Sequence, residues 1–545
     1  MLARVRSATL VGVEGQAVTV EVHVSSGLPG FRVVGLPDAS CREARDRVRA
    51  AILSSGYKWP QERATVNLAP SGLRKAGSGL DLAIALGVLA ASGQVPASSL
   101  EGLSFVAELG LDGSLRRVAG VVPLVAAAGV GGVVVPPECA HEARLILASG
   151  VFSAPDLAVV VRVLRGQAAW PPPPKLERPG RALSPPDLAD VRGQLLGRRA
   201  IEVAAAGGHH LLMVGPAGAG KTMLAARLPG LLPPLRPSEA LDVAKIHSSA
   251  GLSVGAGELS LLPPYRAPHH SASAASLIGG GGARLRPGEI SCAHNGVLFL
   301  DELAEFPGAV LDNLRQPLEE GRVVVCRASA SAAFPARFLL VAAMNACRCA
   351  GDGQPGGCRC SRGARARYLS RVSGPLLDRF DLRVRLRRPD AADLLATPGG
   401  EPTTVEPSAF VAARVAQARA LAQQRGVRCN AEIAAPALER YCPLSPGARR
   451  LLERRLRQGQ LTARGLHRAR RVALTLADLA GGTSRLAEED VLLALALRAD
   501  GVFVEGADGV FGEEAVPADS AGWGLVEVPS ALGSAPGGPL RAVGA

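Results

Sequence analysis

Eight consecutive residues limit what this chain can become more than any other feature: Gly215-Pro216-Ala217-Gly218-Ala219-Gly220-Lys221-Thr222. The apolar run Leu211-Leu212-Met213-Val214 precedes them, and Met223-Leu224-Ala225-Ala226-Arg227-Leu228 follows. That order reads as strand, glycine-rich loop and helix, with the G-x-x-x-x-G-K-[ST] spacing of a phosphate-binding loop. Gly215, Gly218 and Gly220 let the backbone wrap close to a polyphosphate. Successive N–H groups and the helix N-terminus supply positive partial charge there. Lys221 is placed to reach β- and γ-phosphates, and the Thr222 hydroxyl to ligate Mg²⁺. The fold class that follows is α/β.

The partner expected of such a loop lies downstream. Asn295-Gly296-Val297-Leu298-Phe299-Leu300-Asp301-Glu302 reads as a buried strand ending in two carboxylates. Ligands of parallel sheets collect at the carboxyl ends of strands. Asp301 would complete the Mg²⁺ shell and Glu302 would polarise an attacking water. Binding and hydrolysis of ATP with Mg²⁺ is the expected chemistry.

Length and charge set the wider frame. A chain of 545 residues has room for roughly two to four domains. Its net charge of +13 is carried almost wholly by arginine, since lysine occurs only at positions 58, 75, 175, 221 and 245. Guanidinium forks match phosphates bidentately, which favours phosphate-rich partners. A GC-rich coding bias gives the same composition, so charge alone leaves nucleic acid open. Met1-Leu2-Ala3-Arg4-Val5-Arg6 runs straight into an alternating strand pattern, without the shape of a signal peptide. The longest uncharged run, Val118 to Pro137, is interrupted by Gly120, Pro123, Gly129, Gly131 and Gly132. It predicts a buried helix followed by a strand at Val133-Val134-Val135 rather than a membrane span. Ten cysteines without a secretory signal argue against a disulfide framework. A soluble cytoplasmic protein is expected.

Composition divides the chain. Residues 1–165 alternate β-patterned and helical runs, and 166–185 form a stiff connector around Trp170-Pro171-Pro172-Pro173-Pro174. The nucleotide motifs occupy 186–395, and 405–500 is Ala/Leu/Arg-rich with helical spacing. The Gly/Ala/Pro-rich residues 501–545 are expected to be a disordered tail.

Motifs around the ATP residues resemble those of the ComM/YifB family, whose core is a magnesium-chelatase-like AAA+ ATPase. They are His209-His210-Leu211-Leu212-Met213-Val214-Gly215, Arg266-Ala267-Pro268-His269-His270-Ser271, Arg286-Pro287-Gly288-Glu289-Ile290-Ser291 and Ser373-Gly374-Pro375-Leu376-Leu377-Asp378-Arg379. Gly35-Leu36-Pro37-Asp38 and Ser78-Gly79-Leu80-Asp81-Leu82 are similar to that family's first domain. The resemblance implies an N-terminal Lon-protease-like α+β domain, a P-loop AAA+ α/β domain and a C-terminal helical lid. It also implies assembly as a ring, expected to be a hexamer. The implied activity is DNA helicase and branch migration on single-stranded, forked or branched DNA, serving natural transformation. Asn345 would be sensor 1, orienting the water. Arg379 would be the finger inserted into a neighbour's site, and Arg464, with Arg471 as rival, would be sensor 2.

Other segments carry weaker expectations. Glu320 to Arg327 and Phe334 to Phe338 read as a hairpin leading into the sensor 1 strand. Arg322 and Arg327 on it, with Arg284 and Arg286 on the glycine-rich insertion Gly279 to Gly282, are candidate phosphate contacts. His269-His270 lack a matching ligand set, and a loop-packing or interface role is expected. Cys347-Arg348-Cys349 and Cys358-Arg359-Cys360 form two close pairs that could hold a tetrahedral structural Zn²⁺.

The Lon resemblance raises peptidase activity. Laid on the Lon pattern, Gly79 falls at the nucleophile position and Val122 at that of the lysine base. Ser78 is one place early, and the next lysine after Lys75 is Lys175, in the connector. A hydroxyl without a base in reach is not a nucleophile, so the domain is expected to be non-proteolytic. A metal-chelatase motor subunit and a protein-remodelling AAA+ ATPase remain the alternatives.

Overall fold

The computed structural model describes residues 1–498 except positions 76, 130, 173, 175–184, 253, 255–257, 282–284, 328–329, 350–357, 359 and 390–405. Most of the expected connector and all of the expected tail 501–545 lie outside the described residues, as does Arg284.

Two sheets organise the chain. In the first, β1 (Leu2–Val11) and β2 (Glu14–Ser25) pair antiparallel from Leu2↔His23 to Val11↔Glu14. Val18, Val20, Val22 and Val24 are buried while His23 is exposed, the period-two pattern of a strand with one face in a core. β3 (Gly30–Val34), β4 (Arg63–Ala69), β5 (Leu103–Phe105), β6 (Gly132–Val135) and β7 (Val151–Ser153) complete it. The spatial order is β3-β4-β2-β1-β5-β6-β7, with mixed strand directions. Asp38 caps α1 (Ala39–Ser54) by accepting from the Cys41 N–H. All eleven residues of α2 (Asp81–Ala91) are buried. The uncharged run becomes α3 (Val121–Ala128) and then β6, as its glycine breaks predict. Among the described residues no helix is long and apolar enough to cross a membrane.

The second sheet follows α4 (Leu195–Gly207) and begins with β8 (Leu211–Val214), which leads through the loop into α5 (Lys221–Leu231). Then come α6 (Pro237–Ala250), β9 (Tyr265–Arg266), α7 (Ala274–Ile278), β10 (Val297–Leu300) and α8 (Arg315–Glu320). A hairpin of β11 (Arg322–Arg327) and β12 (Ala330–Pro335) precedes β13 (Leu339–Met344) and β14 (Leu382–Arg385). The five strands β9-β10-β13-β8-β14 are all parallel. Every residue of β8, β10 and β13 is buried, which is why these strands read as unbroken apolar runs.

A helical C-terminal region closes the fold: α9 (Ser408–Gln424), α10 (Pro446–Arg457), α11 (Ala463–Leu479) and α12 (Glu488–Ala496). It shares one core with the parallel sheet, joining Met213 and Val341 to Val415, Ala473 and Val491. Polar groups reinforce that joint. Buried His209, just ahead of β8, contacts Asp381 at 3.3 Å through Nδ1 and Thr475 of α11 at 2.8 Å through Nε2. Burial opposes the Asp381 charge, but the His209 hydrogen bond and the charges of His209, Arg468 and His210 outweigh it. Its carboxyl is held well below the usual range. The mixed sheet's region meets the parallel one at Ser248 of α6. Its hydroxyl donates to Glu142 at 3.0 Å and accepts from the Val122 N–H at 3.2 Å.

Candidate active site

The loop after β8 has the shape its glycines predict. Gly218 and Gly220 take φ of +79° and +77°, a left-handed conformation that favours glycine, and no atom approaches the space a Cβ would fill. Gly215 is needed for a different reason: a Cβ there would come within 2.6 Å of the Leu386 carbonyl oxygen. The result is an open cradle at the N-terminus of α5. Lys221 Nζ curls beneath it, donating to the carbonyls of Gly215 (2.7 Å) and Pro216 (2.9 Å) and to Asn345 Oδ1 (3.1 Å). Burial pulls the Lys221 pKa down, and the nearby Asp301 and Glu302 carboxylates oppose that shift.

Parallel topology gathers the rest. Asp301 and Glu302 follow β10 and Asn345 follows β13, so all three emerge at the same edge as the loop. Thr222 Oγ1 donates to Asp301 Oδ2 at 2.8 Å, the pair of oxygens a hard divalent cation takes. Glu302 is half-exposed, and its Oε2 lies 3.1 Å from His270 Nδ1. Cradle, ammonium, oxygen pair and exposed carboxylate together fit a magnesium nucleoside triphosphate. For His270 a loop-packing or interface role was expected; its place four residues beyond β9, the strand beside β10, brings it to Glu302.

Arg379 and Arg464 are not brought to this edge. Arg379 precedes β14, and Leu382 pairs with Leu211, the first residue of β8. The length of the strand, about 10 Å, therefore separates it from its own chain's loop. Its guanidinium pairs closely with Glu319 of α8. Burial, then the positive charges of Arg464 and Arg315, lower its pKa. Arg464, exposed at the start of α11, thus shares a locality with Arg379. Arg471, the rival, lies two turns further along α11, where its charge acts on Cys442.

The four clustered cysteines converge. Sγ–Sγ distances are 3.6 Å for Cys347–Cys349 and 3.3 Å for both Cys349–Cys358 and Cys347–Cys358. With Cys360 included, all four sulfurs lie within 4.8 Å of one another. A tetrahedral zinc thiolate with Zn–S near 2.3 Å sets its sulfurs about 3.8 Å apart, so the donor set fits that ion.

Arg322 and Arg327 are exposed on the β11–β12 hairpin. Arg327 lies over Gly280, which pairs with exposed Arg286, so hairpin and insertion form one locality. In the mixed-sheet region the Ser78 hydroxyl bonds to the Glu108 carboxylate, and fully buried Lys75 donates to the Pro70 carbonyl.

Comparison with known proteins accords with this geometry. Residues 187–394 match the family described as magnesium chelatase, subunit ChlI. Residues 20–139 match subunit ChlI of Mg-chelatase, and 405–498 the ChlI C-terminal family. An uncharacterized protein of Mycobacterium tuberculosis is 46% identical over 514 residues, 92% of this chain and 99% of that protein. The competence protein ComM of Haemophilus influenzae is 43% identical over 488 residues, covering 88% and 94% of the two chains. YifB of Escherichia coli is 43% identical over 482 residues, covering 88% and 93%. With Lys221, Thr222, Asp301, Glu302 and Asn345 at one sheet edge and relatives matched over nearly their whole length, the chain belongs to the ComM/YifB family of magnesium-chelatase-like AAA+ proteins.

Proposed function

We propose that this protein is an ATP-driven DNA motor of helicase and branch-migration type, working as a ring, expected to be hexameric, on single-stranded, forked or branched DNA. The observation that carries the ATPase part is the convergence of Lys221, Thr222, Asp301 and Asn345 at one sheet edge. Gly215, Gly218, Gly220 and Lys221 bind the phosphates. Thr222 and Asp301 hold Mg²⁺, which when bound neutralises charge as the γ-phosphate leaves. Glu302 orients and deprotonates the attacking water, and the Asn345 amide aligns it. Arg379 and Arg464 serve the site of the neighbouring subunit, a reading supported by their distance from their own loop. Arg322, Arg327 and Arg286 contact DNA phosphates without reading sequence. The competence protein ComM among the relatives favours a role in integrating incoming DNA. Cys347, Cys349, Cys358 and Cys360 hold a structural Zn²⁺ that braces the segment just beyond Asn345.

A second reading, a chelatase-type motor subunit, is favoured by the family descriptions themselves. Steady-state ATPase rates with single-stranded, forked and four-way-junction DNA separate the two. The motor predicts strong stimulation by forked or junction DNA that Lys221→Ala and Glu302→Gln abolish. Robust hydrolysis indifferent to DNA would replace it with the chelatase or protein-remodelling reading.

A further inference from the structure

One face of the mixed sheet is divided between a helix and open solvent. Successive residues of β1 alternate sides. Ala3 and Val5 join the core formed with α1 and α2, whereas Arg4, Arg6, Ala8 and Leu10 take the other face. There α3 covers Ala8 and Leu10. The helix lies so close that a Cβ at Gly15, which pairs with Leu10, would come within 2.0 Å of the Pro123 carbonyl oxygen. The cover stops short of Arg6. Past that point Arg4 and Arg6 of β1, His23 of β2, Arg32 of β3 and Arg63 of β4 are all exposed.

Strand register fixes how these cations are arranged, because directly paired residues share a face. Arg63 stands between Ser25 and Gly30, and Arg32 is in line with Thr65, His23 and Leu2. Asn67, Glu21 and Arg4 form the next row, and Thr19 with Arg6 the one after. Glu21 is the carboxylate of these rows, and it is already engaged: Asn67 Nδ2 donates to Oε2 at 2.9 Å and Arg4 Nε to Oε1 at 3.3 Å. Among the described residues Arg6, Arg32 and Arg63 have no ion-pair partner. By strand spacing and rise, Arg32 and Arg6 stand roughly 20 Å apart across the face. One small anion cannot serve both, but a polyanion can.

We propose that the uncovered half of the mixed sheet binds single-stranded DNA, holding its sugar-phosphate backbone without reading sequence. A flat sheet raises no helix or ribbon to enter a duplex groove, whereas a flexible strand can lie along it and follow the positive charge. Guanidinium planes also stack on unpaired bases, so a face without aromatic side chains still suits a single strand. The inference rests on the DNA reading above only for the kind of polyanion. It adds a surface separate from the ATP site and from the hairpin arginines.

The test is equilibrium binding of fluorescently labelled oligo(dT), and of a duplex of the same length, to the full-length protein without nucleotide across a range of salt. Arg6→Ala with Arg32→Ala takes two charges from the face. Arg45→Ala with Arg49→Ala takes two from exposed positions on α1, which packs against the sheet's other side, and so matches the change in net charge. In the face pair, Kd for oligo(dT) should rise roughly tenfold and the slope of log K against log salt should become shallower by about 1.4, or about 0.7 per lost phosphate contact. The α1 pair should stay within about twofold of the parent, and Arg6→Lys with Arg32→Lys should keep most of the affinity, since an ammonium still neutralises a phosphate. The inference is overturned if the face pair binds oligo(dT) like the parent, if the α1 pair loses as much, or if the loss falls on the duplex alone. Retention on phosphatidylserine vesicles that the face pair abolishes, with oligo(dT) binding intact, overturns it in favour of an anionic membrane. Should the alanine pair melt early, Arg6→Gln with Arg32→Gln makes the same comparison against the lysine pair. ATP hydrolysis indifferent to DNA, beside a face pair that has lost oligo(dT), overturns the motor and leaves this surface standing. DNA-stimulated hydrolysis beside a face pair that binds oligo(dT) like the parent overturns the surface alone.

Discussion

Two of the described lysines are buried, one in each sheet's region, and their surroundings differ. Lys75 is wholly buried and donates to the Pro70 carbonyl; burial lowers its pKa. The charge that acts on it is that of Cys41, and the acids acting on Cys41 are already engaged: Asp38 accepts from the Cys41 and Gly77 N–H groups, and Asp81 takes Arg47 at 2.7 and 3.1 Å. Lys221 is nearly as buried, yet it lies beneath an open cradle beside Thr222 and Asp301, with half-exposed Glu302 at the same edge. Burial of an ionic group is common to both. What separates them is whether the surrounding polar atoms are used up internally or left facing space a ligand can enter.

The largest test of that contrast is Lys221→Ala. Turnover should fall at least about a thousandfold (roughly 4 kcal/mol of barrier) while the melting temperature moves by only a few degrees. Arg379→Ala should follow, lowering kcat by roughly a hundred- to a thousandfold with ATP binding retained, read by turnover beside binding of a fluorescent ATP analogue. Zinc is next: metal analysis should find one equivalent per chain, and stripping it, or Cys347→Ser with Cys358→Ser, should lower the melting midpoint by roughly 5–10 °C.

A pH effect comes from two histidines at the head of β13. His210 Nδ1 accepts the Leu340 N–H and His294 Nδ1 the Arg337 N–H, each at 3.0 Å. Burial first, and neighbouring arginine charge second, push His294 down to about 4; burial likewise pushes His210 down to about 4. Since the unfolded chain takes up these protons more readily, stability is complete above about pH 6.5 and falls as pH drops toward 4. The loss should reach up to about 3 kcal/mol per residue. Denaturant melts across that window should flatten in His210→Asn if the side-chain amide accepts the same N–H. Least of all, Lys75→Met should leave ATPase activity within twofold and shift stability by about 1 kcal/mol or less, since losing one hydrogen bond is offset by no longer burying an ammonium.

What the sequence made legible was what lies close along it or repeats with a period. The loop, the Asp301-Glu302 strand and the helical C-terminal region are of that kind. Asn345 was reached by motif, and the all-parallel pairing then brought it to Lys221. The His270–Glu302 contact was not legible, because 32 positions separate them and only the β9–β10 register joins them. The choice between Arg464 and Arg471 was equally hidden: both sit on α11, and tertiary packing alone decides which one approaches Arg379.

The strand that stands between the loop and Arg379 has a consequence for genetics as well as chemistry. On the proposed ring, each polypeptide owns two halves of different sites and no whole one. Chains lacking Lys221 and chains lacking Arg379 are then each inert alone. Mixed, they recreate interfaces where an intact loop faces an intact arginine, and some turnover returns. The same arithmetic sets how far one damaged chain reaches: a chain lacking Arg379 silences its neighbour's site while its own loop stays usable, and a chain lacking Lys221 silences its own site while its arginine still serves the next.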